Sequence, residues 1–593
     1  MSVENAPQLF EGLNEQQHQA VSHADGPLLV VAGPGSGKTR VLTHRIANLV
    51  SDGVQPWQIL ALTFTNKAAA EMRNRVGQLL NKDQAKNLWV QTFHSFCLRI
   101  LRYHPQEAGL PERFSVLDSS DSQKLVKEVL VELKGDPKKA RDFQSKISYA
   151  KNLGITPDRI AAGELGFEYA DVAPVMTGYM KAVHALGACD FDDLLLRTRK
   201  LLNGHPDVAA KYQEKFRYVL VDEFQDTNTI QGDIIRKLVE NDSNVCVVGD
   251  QDQAIYGWRG ATSAVVDQFV KDYPTTTVIR LGVNYRSTKA IVDVSKAVIA
   301  ANPGAHRADL EAGTGQQGEP VRLLTVDTDL DEARIIANEM QAAVEKGKTG
   351  AVIVRTNAQT RVFEQALMRN RVRFQLVGAM RFFDRAEVKD ALAWLRATHN
   401  PWDVLSLTRA ASSPKRGLGP AAITKLIDAA LEVKMAPADM LRSEEFLTSL
   451  TPKLEAAWRG FGDALDSVLD AAQTSPVDAL HALSTGPAGF KDFLATQDQS
   501  DKDPKSNRVE NFGELITAAE QFMSEAAANN PDINNLDDVP GITLLEMFLE
   551  TVTLAGTSDD EDLTEDAPKA NIVTAHAAKG KEWDHVWVVG LEE

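Results

Sequence analysis

One loop limits the folds open to this chain more than any other feature: Gly33-Pro34-Gly35-Ser36-Gly37-Lys38-Thr39, directly after the apolar run Leu28–Ala32. A strand that runs into a glycine-rich turn and then a helix aims successive backbone N–H groups at one anion, and the helix adds its positive end. Gly35 and Gly37 permit the dihedrals this needs, Lys38 offers a mobile cation to β- and γ-phosphates, and the Thr39 hydroxyl is placed for magnesium. Ala32 stands where the strict pattern has its first glycine, so the match is to a relaxed form. Far along the chain, Asp222-Glu223-Phe224-Gln225-Asp226 follows a second apolar run, Tyr218–Val221. Two carboxylates at the end of a buried strand supply what a bound triphosphate lacks: Asp222 to hold magnesium and Glu223 to orient the attacking water. The pairing implies ATP and Mg2+ as ligands, and hydrolysis on a parallel α/β sheet.

The rest of the chain supports that class. At 593 residues it is too long for one core, with about four domains expected at ~150 residues each. Strands are predicted at Leu28–Ala32, Ile59–Leu62, Leu88–Val90, Tyr218–Val221 and Val245–Val248, each followed by a polar or aromatic cluster, as where ligands gather beyond strand ends. The expected division is a first core over 1–110 and 186–283 interrupted by a helical insertion at 111–185, with helices near Asp121–Leu133 and Ala173–Leu186. A second core follows over 284–376 and 566–593, interrupted by a helical insertion at 377–565. Its predicted strands are Val321–Val326, Ala351–Val354, Ile572–Thr574 and His585–Val589. A parallel layer ordinarily continues into a covering helix, so the second core reads as unfinished at Glu593.

A net charge of −18 excludes a protein that holds nucleic acid by bulk positive charge, and leaves a local groove with stacking. Three scattered cysteines, Cys97, Cys189 and Cys246, form no zinc or disulfide spacing. The absence of a signal-peptide pattern and of a bilayer-length apolar run gives a cytoplasmic expectation and no membrane partner.

Four clusters pair aromatics with small polar residues at strand ends: Phe64 with Asn66, Phe93 with His94, Tyr256, and Trp258 with Arg259. Any one of these rings is more often a core residue. Together, on one sheet edge beside a triphosphate site, they point to a track for unpaired bases. Gln253, after the Val245–Val248 run, is placed to bond a γ-phosphate. Arg286 in Asn284-Tyr285-Arg286-Ser287 is a candidate arginine reaching the same phosphate, and Lys415 in Lys415-Arg416-Gly417 is a candidate duplex contact.

With these residues in view the chain resembles the UvrD/Rep/PcrA branch of superfamily 1 DNA helicases. The resemblance runs through Leu13–Gln17, Ala32–Thr39, Thr63–Lys67, Thr92–His94, Asp190–Asp193, Val221–Thr227, Gly249–Ala261, Asn284–Ser287, Arg355–Gln359, Arg381–Phe383 and Thr574–Glu582. It implies two RecA-like P-loop cores, each with a helical insertion, and ATP between them. It implies that Gln17 reads adenine, Tyr285 stacks on it, Arg286 is an arginine finger and Glu582 meets the ribose, with Arg40 beside the phosphate loop. Phe64, Phe191, Tyr256, Trp258, Arg259, Arg355, Asn357 and His576 would then line the strand's path. It further implies 3′–5′ movement on single-stranded DNA, unwinding at a single-strand/duplex junction, and a role in DNA repair or replication with accessory proteins, as a monomer or weak dimer. The family's next motif, an arginine-bearing helix, has no counterpart before Glu593, which implies a partial chain. Two other readings stay open: an ATP- and DNA-binding module without turnover, and the motor part of a helicase–nuclease.

Overall fold

The structure, a computed structural model, describes residues 9–80, 85, 87–239, 244–257, 260, 264–302, 307–377, 382–500, 507–529, 536–555 and 569–591. Internal contacts divide the chain into two units, the first Met1–Gln317 with Ala386–Ala555 and the second Gly318–Arg385 with Gly556–Glu593. Residues 284–317, expected to open the second core, thus group with the first unit.

The strands run β1 Leu28–Ala32, β2 Ile59–Thr63, β3 Trp89–Thr92, β4 Ser115–Val116, β5 Ala188–Cys189, β6 Tyr218–Val221, β7 Asn244–Gly249, β8 Thr277–Leu281, β9 Val283–Asn284 and β10 Glu311–Ala312. The second unit adds β11 Gly350–Val354, β12 Phe374–Val377, β13 Ala570–Thr574 and β14 His585–Val588. The first unit's main sheet has six strands in the order β3-β2-β6-β7-β1-β8, all parallel. Successive side chains of a strand point to opposite faces. Leu29, Val31, Val219 and Val221 accordingly join one buried cluster, while Leu28, Val30, Ala32 and Leu220 join another. Both faces are covered, which is why these strands read as unbroken apolar runs. The sequence missed β8, an edge strand in which exposed Thr277 and Arg280 interrupt the buried Ile279 and Leu281.

The topology brings the chemistry together. β7 lies between β1 and β6, so the phosphate loop leaving β1, the segment leaving β7 and the Asp222-Glu223 pair leaving β6 emerge side by side from one end of the sheet. Three helices of the first insertion, Ser119–Glu132, Ala140–Asn152 and Val172–Ala185, form their own core around Val126, Ile147 and Met176. In the 386–555 segment Trp394, Trp458 and Phe461 are fully buried.

The second unit carries a four-stranded parallel sheet in the order β12-β13-β11-β14. Val352, Val354 and Ile572 pack on one face, Ala351, Val377 and Val573 on the other. The strand expected at Val321–Val326 does not form: these residues pair with no strand, and Val321, Leu323 and Leu324 are 52%, 88% and 60% exposed. An apolar run without a neighbour for its backbone groups gains nothing from extended geometry. No helix among the described residues is long and apolar enough to cross a membrane.

Candidate functional site

The phosphate loop has the conformation its glycines allow. Gly35 and Gly37 adopt φ of +67° and +86°, and the helix Lys38–Ser51 starts directly after them. Ser36 is buried, and its hydroxyl donates to the Gly33 carbonyl at 2.7 Å. Lys38 is half-buried with Nζ donating to the Ala32 carbonyl at 3.3 Å, a bond to one main-chain oxygen that leaves its other protons for an anion. Thr39 is half-buried in the first turn of that helix. Exposed Arg40 donates to the Glu11 carbonyl at 3.2 Å.

Two further segments hold the loop. Gln17 is 2% exposed: its Nε2 donates to the Ser36 carbonyl at 3.0 Å while its Oε1 accepts from the Asn14 backbone at 3.1 Å. On the other side Asn284 Nδ2 donates to the Pro34 carbonyl at 2.7 Å, and the Tyr285 backbone N–H donates to the Gly35 carbonyl at 2.8 Å. The Asn284 side-chain oxygen also accepts from the N–H groups of Arg286 and Ser287, which fixes the start of the Arg286 segment beside the loop. The Tyr285 ring is 49% exposed and its hydroxyl accepts from Asn14 Nδ2 at 2.8 Å. A methyl group added at Gly35 would lie 2.7 Å from Arg286 Cβ, and one at Gly33 would lie 2.5 Å from the Leu310 side chain. The close fit of Asn284, Arg286 and Leu310 was not legible in the sequence, since it depends on β9 pairing with β10.

Asp222 is 5% exposed at the end of β6, and its carboxylate accepts the Glu223 N–H at 3.0 Å. Glu223 has φ of +49°, a left-handed conformation that costs a non-glycine residue about 1–3 kcal/mol and gathers at functional sites. From Glu223 a chain of bonds crosses to the neighbouring strand. Its carboxylate accepts from the Gln225 amide, the Gln225 side-chain oxygen accepts the Asp250 N–H at 2.9 Å, and the Asp250 carboxylate accepts from Gln253 Nε2 at 2.7 Å. Burial pushes the Asp250 carboxyl above its ordinary range, against the opposing pull of Lys38 and the Gln253 bond. Asp250 and Gln225 therefore belong to the site, though the sequence singled out only Gln253 there. Their signal was position, one directly after an apolar strand and one inside the carboxylate motif.

The aromatic residues divide. Half-buried Phe64 stacks on Tyr256 with ring centroids 4.6 Å apart; Tyr256, expected to line the strand's path, is itself buried at 7% exposure and backs the Phe64 ring instead. Half-buried His94 meets Phe191 edge-on at 6.0 Å. Asn66 is half-buried at the start of a helix capped by Thr65. Phe93 corrects the expectation: it is 2% exposed and belongs to the core cluster of Trp89 and Phe96, so it offers no face to a base. As the first residue of the helix leaving β3, it turns inward and leaves His94 at the rim. Trp258 and Arg259 lie outside the described residues.

The other candidates are scattered. Lys415 is exposed, whereas its neighbour Arg416 bonds the Ala488 carbonyl at 2.6 Å and sits over the Trp394 ring. In the second unit Arg355, Asn357 and Glu582 are exposed and His576 is half-buried; the N–H groups of Arg355 and Thr356 both donate to Gln359 Oε1.

Comparison with known proteins adds independent findings. Residues 13–274 match the profile of the UvrD/REP helicase N-terminal domain, and residues 279–593 that of the UvrD-like helicase C-terminal domain. The chain is similar to "ATP-dependent DNA helicase PcrA" of Leuconostoc citreum, at 37% identity over 100% of this chain and 78% of that protein. Against "ATP-dependent DNA helicase PcrA" of Staphylococcus aureus the identity is 35%, over 99% of this chain and 78% of the relative. "ATP-dependent DNA helicase UvrD1" of Mycobacterium bovis is 39% identical, again over 99% and 78%.

Proposed function

Because the chain belongs to the UvrD/REP helicase family, we propose that it is an ATP-dependent DNA helicase that moves 3′–5′ along one strand and opens the duplex at a junction, in DNA repair or replication. The observation that carries this reading is the adjacency of β1, β7 and β6. It brings the Gly33–Thr39 loop, the Asp222-Glu223 pair and the segment holding Gln253 to one sheet end, on the same edge as the Phe64–Tyr256 stack.

In this reading the Gly33–Thr39 loop binds the triphosphate through main-chain N–H groups, and Lys38 stabilises the charge that builds on the transferred phosphoryl group. Thr39 and Asp222 are the residues that would hold magnesium, which supplies charge neutralisation at the phosphates. Glu223 orients the attacking water and accepts its proton, held in aim by the Gln225 amide. Gln253 answers to the γ-phosphate. Its departure disturbs the bond to Asp250, which lies six residues ahead of Tyr256. Arg286 contributes a second cation, and Gln17, Arg40, Tyr285 and Glu582 are assigned to the nucleoside and its surroundings. Arg355, Asn357, His576, Phe191 and Trp258 are assigned to DNA, with Lys415 at the duplex.

The test is strand separation on matched substrates. Duplexes with a 3′ single-stranded tail are expected to be unwound with ATP, and those with a 5′ tail are not. Unwinding from 5′ tails alone would refute the polarity, and DNA binding with no ATP turnover would favour a non-motor binding module.

A further inference from the structure

The end of the Ala140–Asn152 helix is touched by three segments that the sequence singled out separately. Asn152 is 7% exposed. Its Nδ2 donates to the Asp192 carboxylate at 2.8 Å and to the Ser148 carbonyl at 2.9 Å, while its Oδ1 accepts from Asn228 Nδ2 at 2.6 Å. Asp192 adjoins Phe191 in the helix Phe191–Gly204. Asn228 lies two residues past Asp226, and its side chain caps the helix Thr229–Leu238 by accepting the Gln231 N–H at 2.9 Å. The third segment is the one that follows Tyr256: a methyl group added at Gly260 would lie 3.3 Å from Asn152 Cβ. The neighbouring Lys151 is buried, with Nζ 2.6 Å from Asp190 and 2.8 Å from Asp193, so the helix end is anchored to the Phe191 helix by ion pairs as well.

A buried amide with both ends bonded has no cheap alternative arrangement, because turning it leaves a donor or acceptor unpaired at a cost of about 1–3 kcal/mol. A shift of the segment following the carboxylate pair therefore pulls on Asn152, and through it on the helical insertion and on the helix that Phe191 begins. We infer that Asn152 is a positioning residue that ties the helical insertion to the Asn228 segment and the Phe191 helix, so that they answer the nucleotide site as one body. The inference rests on the reading that this chain hydrolyses ATP in response to single-stranded DNA. In it Asn152 touches neither ATP nor DNA.

The experiment compares ATP hydrolysis with and without an oligothymidylate for the wild-type chain, Asn152→Ala, Asn228→Ser and the double variant. Serine keeps a hydroxyl cap on the Thr229–Leu238 helix while removing the amide that reaches Asn152. Both single variants are expected to keep the DNA-free rate and to lose about tenfold of the DNA stimulation, the scale of one buried hydrogen bond. The double variant is expected to be no worse than Asn152→Ala, because that change already removes the bond that Asn228→Ser breaks. A merely structural Asn152 would lower the melting temperature and leave the stimulation ratio unmoved. Full stimulation in Asn152→Ala and Asn228→Ser overturns the inference alone, whereas a wild-type chain indifferent to the oligonucleotide overturns the functional reading and the inference with it.

Discussion

The phosphate end of the six-stranded sheet and its aromatic rim are built on different terms. At the phosphate end, buried and half-buried polar groups are tied to one another: Gln17 to Ser36, Asn284 to Pro34, Glu223 through Gln225 and Asp250 to Gln253. At the rim, the same residue type takes opposite roles on adjacent strands, with Phe93 in the core after β3 and Phe64 half-buried after β2. Phosphate binding is a main-chain property and so is fixed by local spacing. Base stacking needs an exposed ring face, which only tertiary packing decides.

Substitutions can break or sharpen this contrast. The largest effect is expected from Phe93→Ala, which should cost about 3–5 kcal/mol of stability as a buried phenylalanine lost from a core; a chemical-denaturation curve unchanged from wild type would return Phe93 to the rim. Lys38→Ala should reduce ATP turnover by about 100- to 1000-fold with the fold intact, the scale of losing one placed electrostatic contact. Steady-state hydrolysis with circular dichroism as a control checks it. Phe64→Ala should weaken single-stranded DNA binding by about 1–3 kcal/mol, measured by fluorescence anisotropy, and leave DNA-free hydrolysis in place.

A last effect concerns pH. Burial, with the Asp190 carboxylate next to it, raises the Asp192 carboxyl to about 7, while Lys151 and the bonds from Ser148 and Asn152 oppose the rise. Between an unfolded value near 4 and that folded value, the folded chain keeps a proton that the unfolded chain releases. The contribution of Asp192 is therefore present at the acid side and is lost as pH rises through about 7. Urea midpoints at about pH 5 and about pH 7.5 should fall further in wild type than in Asp192→Asn, and equal falls would show that Asp192 is not the group responsible.

Much of the fold was legible because fully covered parallel strands are apolar along their whole length. β1 and β6 have the limits the sequence gives them, and β2, β3 and β7 differ from theirs only at their ends. The same signal misled at Val321–Val326, where apolar residues lack a strand partner, and failed at β8, where Thr277 and Arg280 break the run. At the site, Gly35, Lys38, Asp222 and Glu223 could be read from spacing. The clamp of Asn284 on Pro34 and the contact of Leu310 with Gly33 could not, since both join residues more than 200 positions apart through pairing that no local pattern encodes.

Titrating an oligothymidylate into the wild-type chain while following phosphate release tests most directly whether the phosphate end and the rim act as one device. The account predicts a hydrolysis rate that climbs saturably with DNA, and a climb displaced to higher DNA concentration in Phe64→Ala. A rate that stays level across the titration would contradict it.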